Sequence, residues 1–156
     1  MPSTTQPLLE RVEHDHPDLT FSPGEAFEWQ PTARVIIYDH ADPYFDARLL
    51  HELSHALLGH LRYERDIDLI SMERDAWQHA RLELGRKYQT DIPGDIIDHD
   101  MDTYREWLHA RSTCPSCSAT GMETKKHRYR CLACGHMWRV NEARTCALRR
   151  YRTSEH

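Results

Sequence analysis

Three short runs with the two-residue period of a strand follow a polar, proline-containing start. Leu19-Thr20-Phe21 is stopped by Ser22-Pro23-Gly24, and Ala26-Phe27-Glu28-Trp29 by Pro31. Arg34-Val35-Ile36-Ile37-Tyr38 is the strongest of the three, being β-branched, short and followed by Asp39. Short strands joined by turns predict a small antiparallel sheet. The first ten residues, MPSTTQPLLE, read as frayed.

After Pro43 the apolar period becomes helical. Leu49, Leu53, Ala56 and Leu57 share one face, and Leu50 and Leu58 widen it. Asp42 or Asp46 is placed to cap this helix, and Gly59 to stop it. A second helix is expected from about Met72 to Tyr88, with Met72, Ala76, Ala80 and Leu84 as its stripe, Trp77 alongside and Ser71 as N-cap. Ile92-Pro93-Gly94 should break it. A third helix, from about Met101 to Ala110, packs through Tyr104, Trp107 and Leu108. The pattern predicts an α+β body of about three helices and a small sheet.

The 156 residues carry a net charge of −5, which argues weakly against a nucleic-acid partner until it is divided. Residues 1–110 hold 10 Lys+Arg and 22 Asp+Glu, whereas residues 111–156 hold 10 and 3, with all five cysteines. The chain therefore reads as an acidic domain over 1–111 and a basic, cysteine-bearing tail over 112–156. The tail is too short to bury a core unaided and should need a staple. No run approaches the ~20 apolar residues of a membrane span. Nor does the start resemble a secretory leader, so the cytoplasm is the expected compartment.

His51-Glu52-Leu53-Ser54-His55 is an HExxH sequence on the first predicted helix. Four residues turn a helix by about 400°, so His51 and His55 share a face and can hold one zinc ion. Glu52 can act as general base on a zinc-activated water without ligating the metal. The plain alternative is a chance match on an amphipathic helix. A catalytic zinc needs a third protein ligand. The metzincin pattern would put Gly at position 58 and His at 61, but the chain has Leu58, Gly59, His60 and Leu61, so that pattern is rejected. His60 is left as a surface, supporting or substrate-contacting residue. A carboxylate from the next helix is the other solution, and Glu73 stands 18 residues after His55. Its alternative role is to favour a helix start electrostatically. Glu64, Asp66 and Asp68 read as solvated loop charges. Tyr63, Tyr88, His60 and His79 are candidate donors to a carbonyl oxyanion.

The segment from His51 to His60, HELSHALLGH, with Glu73-Arg74-Asp75-Ala76-Trp77-Gln78-His79-Ala80, resembles the ImmA/IrrE family of metallo-endopeptidases. That family carries HELxH, often followed by LLGH, then E-x-x-A-x-x-F-A on the next helix. The chain departs at His79, where Phe is usual. The resemblance covers roughly residues 15–110. It implies zinc held by His51, His55 and Glu73, with Glu52 as base, and a protein substrate, typically a transcriptional regulator. Many members sit on phages and mobile elements. SprT-type proteases, which act on proteins at DNA, also join an HExxH helix to a zinc ribbon. Their third ligand is a later His, and after His60 the chain offers none until His79. A further alternative is a non-enzymatic adaptor with a vestigial HExxH.

In the tail, Cys114-Pro115-Ser116-Cys117 and Cys131-Leu132-Ala133-Cys134 are two CxxC pairs with 13 residues between them. A hairpin over Met122 to Tyr129 would join the pairs into a closed four-sulfur zinc site, structural rather than catalytic. Gly135 suits the turn, and Tyr129 and Trp138 can cover the core. Two disulfides are the alternative. Cys146 is left as a free thiol, and His127 and His136 are unneeded as ligands. The reading thus calls for one catalytic and one structural Zn²⁺. Lys125, Lys126, Arg128, Arg130 and Arg139, followed by Arg144, Arg149, Arg150 and Arg152, could dock nucleic acid or an acidic protein, or form a solvated surface.

Overall fold

The computed structural model describes residues 7–141 and, for the backbone, 150–152. Cys146, Arg144 and Arg149 lie outside the described residues, as do the side chains of Arg150 and Arg152. The architecture is α+β, arranged as two compact units. One comprises Met1–Leu61 with Met72–Asp98, the other Arg62–Ser71 with His99–His156.

The first unit opens with helix α1, Leu8–Asp15, which buries Leu8 and Val12. Leu8, Leu9 and Glu10, read from the sequence as part of a frayed start, are therefore helical, and residues 1–6 of that start lie outside the described residues. Strands β1 (Thr20–Pro23), β2 (Glu28–Gln30) and β3 (Val35–Tyr38) form a sheet in the order β1-β3-β2. The antiparallel expectation holds for β2 with β3, where Trp29 faces Ile36, but β1 and β3 are parallel. The chain crosses from β1 to the far edge and returns down the middle. This puts β-branched β3 at the centre, with Ile36 fully buried.

Helix α2, Phe45–Leu57, buries Leu49, Leu50, Leu53, Ser54 and both motif histidines. Neither aspartate caps it through a side chain; Asp42 instead accepts the Tyr44 N–H, one residue early. Leu57 and Leu58 are exposed, contrary to their place on the predicted apolar face, because the helix ends there. Gly59, at φ 71°, reverses the chain, with Gly59 N–H donating to Ala56 O and His60 N–H to His55 O. These paired bonds are a Schellman ending, which favours glycine at the left-handed position.

Helix α3, Asp66–His79, starts six residues before the predicted point, and Ser71 lies inside it. It contributes Met72–His79 to this first unit and continues through a π-helical turn, Ala80–Leu84, into the short helix α4, Gly85–Lys87. Ala76, Trp77, Ala80 and Leu84 are buried, as the stripe requires. Helix α5, Gly94–Ser112, begins immediately after Pro93, seven residues earlier than predicted.

The second unit joins the start of α3 and the rest of α5 to a four-stranded sheet of order β4-β5-β6-β7 (Gly121–Lys125, Arg128–Cys131, Met137–Val140, Arg150–Arg152). The predicted hairpin is β4 and β5, antiparallel. Its core is Cys114, Tyr129, Cys131, Trp138 and Val140. Trp138 donates Nε1–H to Arg111 O at 3.0 Å and stacks on Tyr129. A Cβ on Gly121 would meet the Trp138 ring at 2.4 Å, so only glycine fits there.

Asp66 is not a solvated loop charge. It is fully buried, with both carboxylate oxygens held by Arg111, through Nε at 2.8 Å and Nη2 at 3.3 Å. Tyr129 O–H donates to the same carboxylate. Arg111 also donates to Asn141 O and to His127 Nδ1, and lies over the Trp107 ring. Glu123 accepts the Asp66 N–H at 2.8 Å and so caps α3 from a strand 57 residues away.

Candidate metal centres

The first centre is built by two helices of the first unit. On α2, His51 and His55 stand one turn apart, both buried, with ring centroids 4.6 Å apart. On α3, buried Glu73 places Oε2 3.0 Å from His51 Nε2 and Oε1 3.3 Å from His55 Nε2. One donor atom from each of His51, Glu52 and His55 also falls within 4.8 Å of the others, and Glu52 Oε1 lies 3.4 Å from His51 Nδ1. Glu52 thus borders the centre, while Glu73 faces the Nε2 edges of both rings.

These spacings suit ligands of a shared ion. Metal–N and metal–O bonds of about 2.0–2.1 Å give a tetrahedron with edges of about 3.3–3.4 Å. His51 Nε2 is buried and makes no hydrogen bond, despite the Glu73 oxygen 3.0 Å away. It has the distance of a neighbouring ligand without the alignment of a donor and acceptor. Among the protein groups, burial opposes charging of His51, but Glu52 and then Glu73 outweigh it and raise its pKa to about 9. Burial also opposes ionisation of Glu73, yet His51 and His55 hold its carboxyl well below the usual range. Two carboxylates beside two imidazoles make the pocket receptive to a cation.

Supporting contacts fix the rings. Trp77, one helical turn after Glu73 and on the same face, stacks on His51 at 4.1 Å and 12°. The Schellman ending brings His60 back to His55, with the two Nδ1 atoms 2.9 Å apart. Trp29 Nε1–H donates to His60 O, anchoring that loop to β2. Burial, then His55, holds the His60 pKa below the ordinary imidazole value, favouring the neutral ring. Ser54 Oγ donates to Leu50 O and lies 2.9 Å from His79 Nδ1. Its single hydrogen is committed to Leu50, so His79 Nδ1 is the donor. Of the four oxyanion candidates, His60 meets His55, whereas Tyr88 donates to Asp15, His79 is held by Ser54, and Tyr63 lies under Lys126. A cleft of about 410 Å³ is lined by Leu58, His60, Asp75, Gln78, His79, Leu82 and Glu83.

The second centre is the four-cysteine cluster of the second unit. Cys114, Cys117, Cys131 and Cys134 are free thiols whose sulfurs converge, at 3.7 Å for Cys114 with Cys134 and 3.5 Å for Cys117 with Cys131. Tetrahedral edges for metal–sulfur bonds of about 2.3 Å are about 3.8 Å. The two CxxC turns share one backbone pattern. Cys114 N–H donates to Ala119 O and Ser118 N–H to Cys114 O, just as Cys131 N–H donates to His136 O and Gly135 N–H to Cys131 O. The equivalent residues Ser118 and Gly135 both have positive φ, 66° and 76°. Backbone N–H groups of Cys134 and Ala133 lower Cys131 to about 6. At Cys117 the Ala119 N–H favours thiolate, but the neighbouring sulfurs prevail and push the thiol up to about 12. Four thiolates this close repel unless a cation joins them.

The basic residues divide. Lys125, Arg128, Arg130 and Arg139 are exposed on strands, and Lys126 is exposed in the turn, with Nζ 5.8 Å from the Tyr63 ring. Sequence reading passed over Trp77 as a ring support, although its i,i+4 spacing from Glu73 marks it. It also missed Asp66 and Arg111, for which no local signal exists. Among the described residues, no helix is long and apolar enough to cross a membrane. Comparison of the chain with protein-family models, with curated proteins and with solved structures finds no match.

Proposed function

We propose that the chain is a zinc-dependent metallo-endopeptidase with a structural zinc in its four-cysteine cluster. The observation that carries this reading is Glu73, brought by a separate helix to the Nε2 edges of His51 and His55 at 3.0 and 3.3 Å. His51, His55 and Glu73 would hold the catalytic ion. Bound zinc supplies Lewis acidity, polarising a carbonyl and lowering the pKa of water.

The remaining steps belong to the chain. Glu52, beside the centre, accepts the proton of the attacking water and returns it to the leaving amine. Were His55 to hold the ion through Nε2, its proton would sit on Nδ1, and His60, 2.9 Å away, would accept that N–H and fix the ring. Trp77 holds the plane of His51 and keeps water from that side. The resemblance to ImmA/IrrE proteases extends the reading to a protein regulator as substrate. The SprT-like alternative needs a later His as ligand, whereas the side chain facing the Nε2 edges of His51 and His55 is Glu73.

Glu52→Gln tests the reading. It should retain two zinc ions per chain and lower peptide cleavage by about 10²-fold or more. A variant that cuts as fast as wild type removes the mechanism. Wild-type protein with one zinc ion per chain, unchanged in His51→Ala, removes the catalytic site and leaves a zinc-stabilised adaptor.

A further inference from the structure

The pleat of the cysteine-bearing sheet sorts charge by face. Strand residues alternate sides. Tyr129, Cys131, Trp138 and Val140 are buried, and Arg128, Arg130 and Arg139 are exposed. The register aligns the cations across strands. Lys125 pairs with Arg128 and Arg128 with Arg139, while Arg130 stands between Met122 and Met137. Between Thr113 and Asn141 the only acidic residue is Glu123. It is held on the inner side, where it accepts the N–H groups of Asp66 and His127. The outer face of β4-β5-β6 therefore carries four cations, and Glu123, the one acid within these three strands, is committed to the other side. Like charges directly opposite one another disfavour strand pairing, so this row works against the sheet that displays it. A polyanion laid across the strands would relieve that repulsion.

We propose that the outer face of β4-β5-β6 binds the phosphate backbone of duplex DNA through Lys125, Arg128, Arg130 and Arg139. Arginine forks match phosphate oxygens, and a flat face of cations tracks a backbone without reading bases. Single strands are bound largely by stacking on aromatic side chains. Tyr129 and Trp138 are turned inward and stacked on each other, so among the described side chains these strands offer no such platform. This surface is independent of the peptidase reading.

The test is fluorescence anisotropy of the full chain with a labelled duplex of about 20 base pairs, from about 50 to about 200 mM salt. Affinity should fall with salt, with a log–log slope of about −0.9 for each phosphate neutralised. Arg128→Gln with Arg139→Gln should weaken binding at least tenfold, roughly, and flatten the slope by about two, with the zinc content kept. Arg130→Gln alone should flatten it by about one, which keeps the test alive should the double variant unfold. Salt-independent binding, variants that bind as wild type, a single strand that binds as tightly as the duplex, or full competition by polyglutamate would each overturn the proposal, the last in favour of an acidic protein.

Discussion

The two candidate centres are assembled in opposite ways. The cysteine cluster comes from two local turns with the same backbone, each delivering two sulfurs and each held by its own N–H···O bonds. The histidine cluster takes two side chains from one helix and depends on a second helix for Glu73. Four sulfurs close a tetrahedron, while three donors leave a position open. A closed site is fitted to hold a fold together, and an open one to meet a substrate. The packing follows suit. Around the cysteines the unit has a small core of Tyr129, Trp138 and Val140, whereas the histidine helix is buried among Leu49, Leu50 and Leu53.

That contrast can be broken most forcefully at Cys131, whose sulfur accepts the N–H groups of Ala133 and Cys134. Cys131→Ser should unfold β4 to β6, since structural zinc supplies on the order of 10 kcal/mol of folding energy in small domains. His51→Ala should leave them folded. Trp138 fluorescence and the zinc content of the two variants read the difference; equal loss in both would erase the distinction.

Next in size is Asp66→Ala, which tests what besides metal holds the second unit. It strands the buried Arg111 and should cost about 3–5 kcal/mol in denaturant unfolding. A loss below about 1 kcal/mol would assign that role to the metal alone.

At the histidine centre, His60→Leu removes the partner of His55 Nδ1 and, on the proposed reading, should lower zinc affinity about 10- to 100-fold. Asn can place an oxygen near the position of Nδ1, so His60→Asn should recover much of the loss. Equal affinity in all three proteins would reduce His60 to a packing residue. Zinc content of the cysteine site should not respond to either change.

The smallest effect is expected at Glu123. Burial raises its carboxyl pKa, and hydrogen bonds from Asp66 and Tyr129 offset this only in part. The folded state therefore keeps the proton longer than the unfolded one. Wild type should lose stability relative to Glu123→Gln as pH rises through the unfolded and then the folded carboxyl pKa. Below both values the difference should be constant. Thermal melts across that window check the sign, and a difference growing in the opposite direction would contradict the assigned burial.

Much of this was legible because it is local. HExxH on an amphipathic helix, LLGH at its end, and two CxxC turns with a hairpin between them are short-range patterns. The structure places their residues on the expected elements. Glu73 was accessible from its spacing, although the helix it occupies begins at Asp66 rather than at about Met72. The reason is distant. Arg65 N–H is met by Asp68, but Asp66 N–H is capped by Glu123 from the hairpin. A charged stretch that reads as loop becomes the first turn of a helix. The parallel β1-β3 pair was hidden likewise, since two strands of the same pattern do not reveal which neighbour they choose. The early start of α5 follows Pro93, which directly precedes its first residue, whereas α4 has already ended at Lys87, with Gln89 turned to φ 52°.

The sequence by itself therefore determined the elements that short-range geometry dictates: the helix carrying His51 and His55, its glycine stop, the hairpin, and the grouping of four cysteines. Tertiary structure alone decided which groups face each other across elements. It set Glu73 against two imidazoles, Trp77 against one of them, Asp66 against Arg111 and Tyr129, and the arginines on one side of a sheet. Periodicity fixes the face of an element on which a residue lies. The partner waiting at that face is chosen by packing and by satisfying buried charge, which no window of sequence contains.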